Sequence, residues 1–202
     1  MSDPIMALEM EIMQKISELN RLRKAHRGDA VRNYTFQTQQ GETDLLSLFG
    51  DKDRLLLIHN MGQSCRYCTL WADGFNGLVP HLESIISVVL VSKDEPETQR
   101  LFANSRGWKF RLASHGGGDY AQEQQLMEGQ SNMPGAVVYE REGDTIYRKN
   151  ACLFGPDDIY CAAWSLLGLA GIGEAEWHPQ YRYWQPNQPL IDGGERSNEA
   201  SA

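Results

Sequence analysis

One stretch constrains this chain more than any other: Leu55-Leu56-Leu57-Ile58-His59-Asn60, then Met61-Gly62-Gln63-Ser64, then Cys65-Arg66-Tyr67-Cys68. The apolar run is long enough for a buried strand, and it breaks at Gly62. Beyond the cysteines, Leu70, Trp71 and Phe75 recur with helical spacing. A buried strand that ends in Cys-x-x-Cys opening a helix is a physical device as well as a pattern. The unpaired N–H groups of the first turn and the helix dipole favour negative charge there. Lowering a thiol pKa from about 8.5 to about 7 takes only about 2 kcal/mol of preferential stabilisation of the thiolate. Cys65 lies in that field, Arg66 adds to it, and Ser64 is the expected N-cap. Cys68, one turn on, is within reach of a mixed disulfide formed on Cys65.

A Cys-x-x-Cys serves redox or metal chemistry, and the rest of the chain bears on the choice. No apolar run approaches the length of a membrane span, and the N-terminus carries acids rather than a basic leader region. The expected compartment is therefore the reducing cytoplasm, where the four cysteines do not form a disulfide framework. Cys152 and Cys161 flank Pro156 without the spacing of a zinc knuckle and read as buried core thiols. A four-cysteine zinc site joining them to Cys65 and Cys68 is disfavoured. His81, His115 and His178 show no paired spacing for a metal, so neither metal nor cofactor is expected. The net charge of −8 over 202 residues argues against a nucleic-acid surface.

The chain opens with a helix capped by Asp3, with Pro4 at its first position and a stripe of Ile5, Leu8, Ile12, Ile16, Leu19 and Leu22. Gly28 can stop it. So long a stripe suits either an arm packed on its own domain or a homodimer contact, and both readings stand. Tyr34 and Phe36 mark a short strand, and Asp44 precedes a short helical segment. Residues 85–92 are β-branched and apolar, as a strand covered on both faces should be. Residues 95–106 read as a helix closed by Gly107, and 114–119 as a flexible loop without phosphate-binding spacing. Residues 136–141 and 145–149 form a hairpin turning at Gly143-Asp144. Pro156 is expected to open a last helix. The aromatic, proline-punctuated tail has no core of its own and is expected to lie extended over a neighbouring surface, with its end disordered. These divisions give a helical arm over 1–28, a domain over 29–175 and a tail over 176–202.

This order resembles the thioredoxin superfamily: Cys65-Arg66-Tyr67-Cys68 follows a buried strand, and Pro134 directly precedes a hairpin. The insertion between motif and proline is more similar to the peroxiredoxin-like branch. More narrowly, residues 65–77 and 177–184 resemble a bacterial family known mainly as a domain of unknown function, predicted to contain dithiol–disulfide oxidoreductases. The resemblance implies an α/β fold, a thioredoxin-like three-layer sandwich with a mixed central sheet and helices on both faces. It implies that Cys65 attacks and Cys68 resolves. It also implies that Pro134 is a cis-proline facing them, with the Met133 backbone contacting an incoming disulfide. His59 falls where thioredoxins keep a buried acid; acid–base work is open to it, although a hydrogen-bonded histidine at a strand end is the commoner case. Peroxiredoxins place threonine or proline three residues before their peroxidatic cysteine, where this chain has Gly62.

The expected function is thiol–disulfide oxidoreductase, acting on a disulfide-containing substrate or redox partner protein. A thiol peroxidase is the enzymatic alternative, and a non-catalytic thioredoxin-like binding module with vestigial cysteines is the alternative from another class.

Overall fold

The computed structural model describes residues 3–181 and 183. Its frame is an eight-stranded mixed sheet built from β1 (Asp29–Val31), β2 (Thr35–Thr38), β3 (Gly41–Asp44), β4 (Arg54–His59), β5 (Ser87–Ser92), β6 (Arg111–Ser114), β7 (Gly135–Glu142) and β8 (Thr145–Leu153). The spatial order is β1-β8-β7-β4-β5-β6-β2-β3. β4, β5 and β6 run parallel, while β7 lies antiparallel to β4 on its other side. The apolar run that dominates the sequence is thus a central strand, paired on both edges.

Strand alternation sorts side chains into two cores. Leu55, Leu57, Val89, Val91, Val137 and Tyr139 point to one face. There they meet Leu45, Leu48 and Phe49 of and just after the short helix α2 (Leu45–Leu48). Ile58, Val88, Leu90 and Ala136 point to the other. That face is covered by α3 (Arg66–Asn76), α4 (Val79–Glu83), α5 (Pro96–Arg106) and α7 (Ala162–Leu169), through residues such as Trp71, Val79, Ala103 and Trp164. α6 (Asp119–Glu123) returns to the first face through Tyr120. This is the expected sandwich with helices on both faces.

Local details depart from the sequence reading for identifiable reasons. The last helix starts at Ala162 rather than Pro156. Asp157 takes a left-handed φ of 66°, and the Asp158 carboxylate accepts the Tyr160 and Cys161 N–H groups, which stops any earlier start. The loop expected over 114–119 runs into α6, whose five residues carry too little apolar spacing to be seen in isolation.

The opening helix, α1 (Pro4–Ala25), has Asp3 as N-cap, its carboxylate accepting the Ile5 N–H at 3.0 Å. None of its residues is buried. Ile5, Met6, Leu8, Met10, Ile12, Met13, Leu19 and Leu22 are all exposed. The helix is fastened near its end: Arg23 donates to the Tyr160 hydroxyl at 2.6 Å, and the Arg23 carbonyl accepts from Asn150 Nδ2 at 3.2 Å. The tail does pack on its own domain as far as it is described. Trp177 meets Trp164 edge-on, and the Tyr181 carbonyl accepts from Arg106 at 2.7 Å. The disorder expected at the end of the chain lies outside the described residues.

Candidate functional site

The two cysteines stand at the carboxyl end of β4, where α3 begins. Cys65 itself, not Ser64, is the N-cap of α3. Its sulfur accepts the Cys68 N–H at 3.2 Å, which places a thiolate-compatible acceptor on an otherwise unpaired donor of the first turn. Cys68 is buried and its sulfur accepts the Met61 N–H at 3.4 Å. Neither is in a disulfide.

The pair divides one proton unequally. The Cys65 thiol is drawn down to about 7, first by the hydrogen bond from the Cys68 side chain and then by the Cys68 and Tyr67 N–H groups and the Arg66 charge, against the opposing effect of burial. The same hydrogen bond, seen from its donor, pushes Cys68 far up, with burial adding to it. Near pH 7 Cys65 is therefore partly thiolate, while Cys68 keeps its proton and donates to it.

The loop before the motif has its own clamp. Gly62 N–H donates to Asn60 Oδ1 at 2.8 Å, and Gln63 N–H donates to Asp94 Oδ2 at 2.8 Å. Gly62 has φ +113°, and a Cβ there would come within 2.8 Å of Asp94 Oδ1. Asp94 just follows the end of β5, the neighbouring parallel strand. Its only sequence signal is that position, since ligands and functional loops of such sheets gather at the carboxyl ends of parallel strands.

His59 pairs with Gly135 across the β4–β7 ladder, so Pro134 lies just past the ladder's end. Asn132 Nδ2 donates to the Met61 carbonyl at 3.4 Å and ties this segment to the cysteine loop. The expected cis-proline is corrected: the Met133–Pro134 bond is trans, as are all peptide bonds among the described residues. The Pro134 carbonyl accepts the Phe154 N–H at 2.9 Å, and the ladder begins at Gly135, so the chain enters β7 extended with the trans geometry that most X–Pro bonds adopt.

The His59 ring nitrogen Nε2 lies 2.6 Å from the Tyr120 hydroxyl. Burial pushes this imidazole down to about 3, with repulsion from His115 and Arg148 adding to it. Tyr120, its partner, lies in α6, just past the loop expected over 114–119, in a segment that carries no motif. Cys152 and Cys161 lie apart from this chemistry, and burial pushes both thiols up. Among the described residues no group of His, Cys, Asp or Glu is arranged to hold a metal ion, and no helix is long and apolar enough to cross a membrane.

Tyr67, between the cysteines, stacks on Trp164 and pairs its hydroxyl with His178 Nδ1 at 2.9 Å. The start of the tail therefore roofs the motif helix.

Residues 2–188 match the family described as "Bacterial protein of unknown function (DUF899)". The chain belongs to this family. No curated protein matches it. Among solved structures, the DUF899 chain is similar to the peroxidoxin BcpB of Mycobacterium tuberculosis, with TM-score 0.51 and 24% identity over 73% of this chain and 97% of that one. It is also similar to a C84S mutant of Xanthomonas campestris peroxiredoxin Q, with TM-score 0.52 and 19% identity over 67% and 90%. The bacterioferritin comigratory protein of the same organism gives TM-score 0.52 and 19% identity over 70% and 99%. At these identities the likeness is one of fold: the DUF899 chain is thioredoxin-like, with peroxiredoxin-like neighbours.

Proposed function

We propose that this DUF899 protein is a thiol–disulfide oxidoreductase whose working pair is Cys65 and Cys68. The observation that carries the reading is the unequal division of the proton: Cys65 caps α3 as a ready thiolate, and Cys68 waits one turn on as a shielded thiol. The Cys65 thiolate attacks one sulfur of a substrate disulfide, forming a mixed disulfide and releasing the other sulfur as a thiolate. Cys68 then loses its proton and attacks the Cys65 sulfur. The products are a Cys65–Cys68 disulfide and a fully reduced substrate, two electrons having passed. A dithiol reductant returns the pair to the starting state. Partners are thus a disulfide-bearing substrate and a reducing protein, in a compartment such as the cytoplasm that keeps the dithiol form.

The peroxidase alternative is weaker on local geometry. At the position where peroxiredoxins carry threonine or proline, Gly62 has φ +113° and Asp94 fills the space of a side chain. Proline is locked near φ −65°, and a β-branched residue at such a φ is strained. The binding-module alternative leaves the depressed Cys65 thiol without a use.

Replacing Cys68 with serine should arrest the reaction at its intermediate. The variant is expected to accumulate a mixed disulfide through Cys65 when given a disulfide-bonded protein, reversible by dithiothreitol, while wild type turns over. Absence of any such adduct, together with no Cys65–Cys68 disulfide on mild oxidation of wild type, would establish the binding module instead.

A further inference from the structure

Two apolar surfaces are left without partners among the described residues, and they adjoin. The first is the stripe along α1, whose apolar residues recur at the three- and four-residue intervals of a coiled-coil seam. Eight large apolar side chains on this helix are exposed to between 37% and 70%. The second is a groove of about 420 Å³ over one face of the sheet, lined by Leu56, Ile58, Phe75, Val138, Phe154 and Tyr160. Arg23, the residue that fastens α1, stands in its lining. The helix extends about 33 Å, and its own chain gives it no buried residue.

The charges along α1 say what fits it. From Asp3 to Gln14 the only charged residues are acidic, Asp3, Glu9 and Glu11. From Lys15 to Arg27 the charges are Lys15, Arg21, Arg23, Lys24 and Arg27, with Glu18 as the only acid. A second α1 lying parallel would set acid against acid and base against base. One lying antiparallel would set the acidic half of each against the basic half of the other, the arrangement generated by a twofold axis perpendicular to the helices. A membrane-surface helix would instead carry Lys and Arg along its whole polar face.

We propose that α1 pairs antiparallel with the α1 of a second copy, making a twofold dimer in which the first turns of each helix reach the other copy's sheet-face groove. Full overlap places the amino end of one helix beside the carboxyl end of the other, where Arg23 marks the groove. A stable interface buries roughly 800 Å² per partner. The exposed stripe and the apolar groove beside it are the surfaces the pairing would cover. Neither Cys65 nor Cys68 is part of the groove lining, so the test of the dimer stands apart from that of disulfide exchange.

The experiment is light scattering on the full chain at micromolar concentration. Wild type is expected at twice the 22.8 kDa chain mass. Leu8→Asp with Leu19→Asp should halve the mass with an unchanged near-ultraviolet circular dichroism spectrum, because no α1 residue is buried in the domain. Glu9→Lys with Glu11→Lys makes α1 net basic, with Glu18 its one remaining acid, and Arg21→Glu with Lys24→Glu makes it net acidic, with Lys15 and Arg23 its remaining bases. Each should be monomeric alone, and an equimolar mixture should recover the dimer. Wild type at the monomer mass would overturn the proposal, whether or not it then binds phosphatidylcholine–phosphatidylglycerol vesicles. So would a dimer indifferent to the Leu8 and Leu19 substitutions, or charge variants that fail to recombine.

Discussion

Gly62 carries no side chain and fixes where the cysteines stand. Its φ of +113° lies outside what other residues adopt without strain, and Asp94 closes the space beside it. Gly62→Ala should therefore cost about 1–3 kcal/mol of stability, seen as a lowered urea midpoint. It should also slow disulfide exchange, because Gln63 would leave Asp94 and the Met61 N–H would leave the Cys68 sulfur. An alanine variant as stable and active as wild type would show that the turn is not strained. Of these residues, Cys65, Cys68 and Gly62 were legible in the sequence, because spacing and the break in the apolar run announce them. Asp94 and Tyr120 were not, since each matters through a contact made across the fold from a segment without a motif. Pro134 shows the opposite failure. Its position was read correctly, but the cis bond came from resemblance, and the ladder at Gly135 is entered without it.

The element that matters most is α3, and its first turn does two jobs with one sulfur. Cys65 accepts the Cys68 N–H as an N-cap does and carries the reactive charge as a nucleophile does. The two roles separate by substitution. Serine is among the preferred N-cap residues, so Cys65→Ser should keep the helix start and change stability by less than about 0.5 kcal/mol. Alanine leaves the donor unpaired and should cost about 1 kcal/mol. Both should abolish disulfide reduction. Chemical denaturation beside an activity assay checks this; equal stability losses in the two variants would mean the sulfur does not cap the helix. The sequence pointed to Ser64 as the cap because cysteine is seldom ranked among cap formers, while serine is. The other helices show where local reading succeeds. α5 ends at Gly107 in the left-handed conformation, as a glycine after a helical run suggests, whereas the delayed start of α7 depends on a carboxylate at Asp158 that propensity alone does not reveal.

At the scale of the whole molecule, the fold makes four chemically identical thiols unlike one another. In the unfolded chain all four titrate near 8.5. Folding draws Cys65 down to about 7 and pushes Cys68, Cys152 and Cys161 up, the last two through burial. The central strands and the hairpin are legible in the sequence as apolar runs and a turn, whereas the eight-strand order and the division into two cores come from the fold. This electrostatic sorting needed the three-dimensional arrangement of β4, α3 and the loop between them. Linkage gives the sign: a thiol depressed on folding adds stability to the reduced protein as pH rises from about 7 toward 8.5, and a raised thiol removes it above its unfolded value. The most direct test is the rate of iodoacetamide alkylation at each cysteine of the reduced, folded protein between pH 5 and 9, read by mass spectrometry of peptides. Cys65 should be labelled first, with a midpoint near pH 7, and the other three should lag until the chain is denatured. A Cys65 midpoint at the ordinary thiol value, with all four cysteines labelled together, would contradict the account.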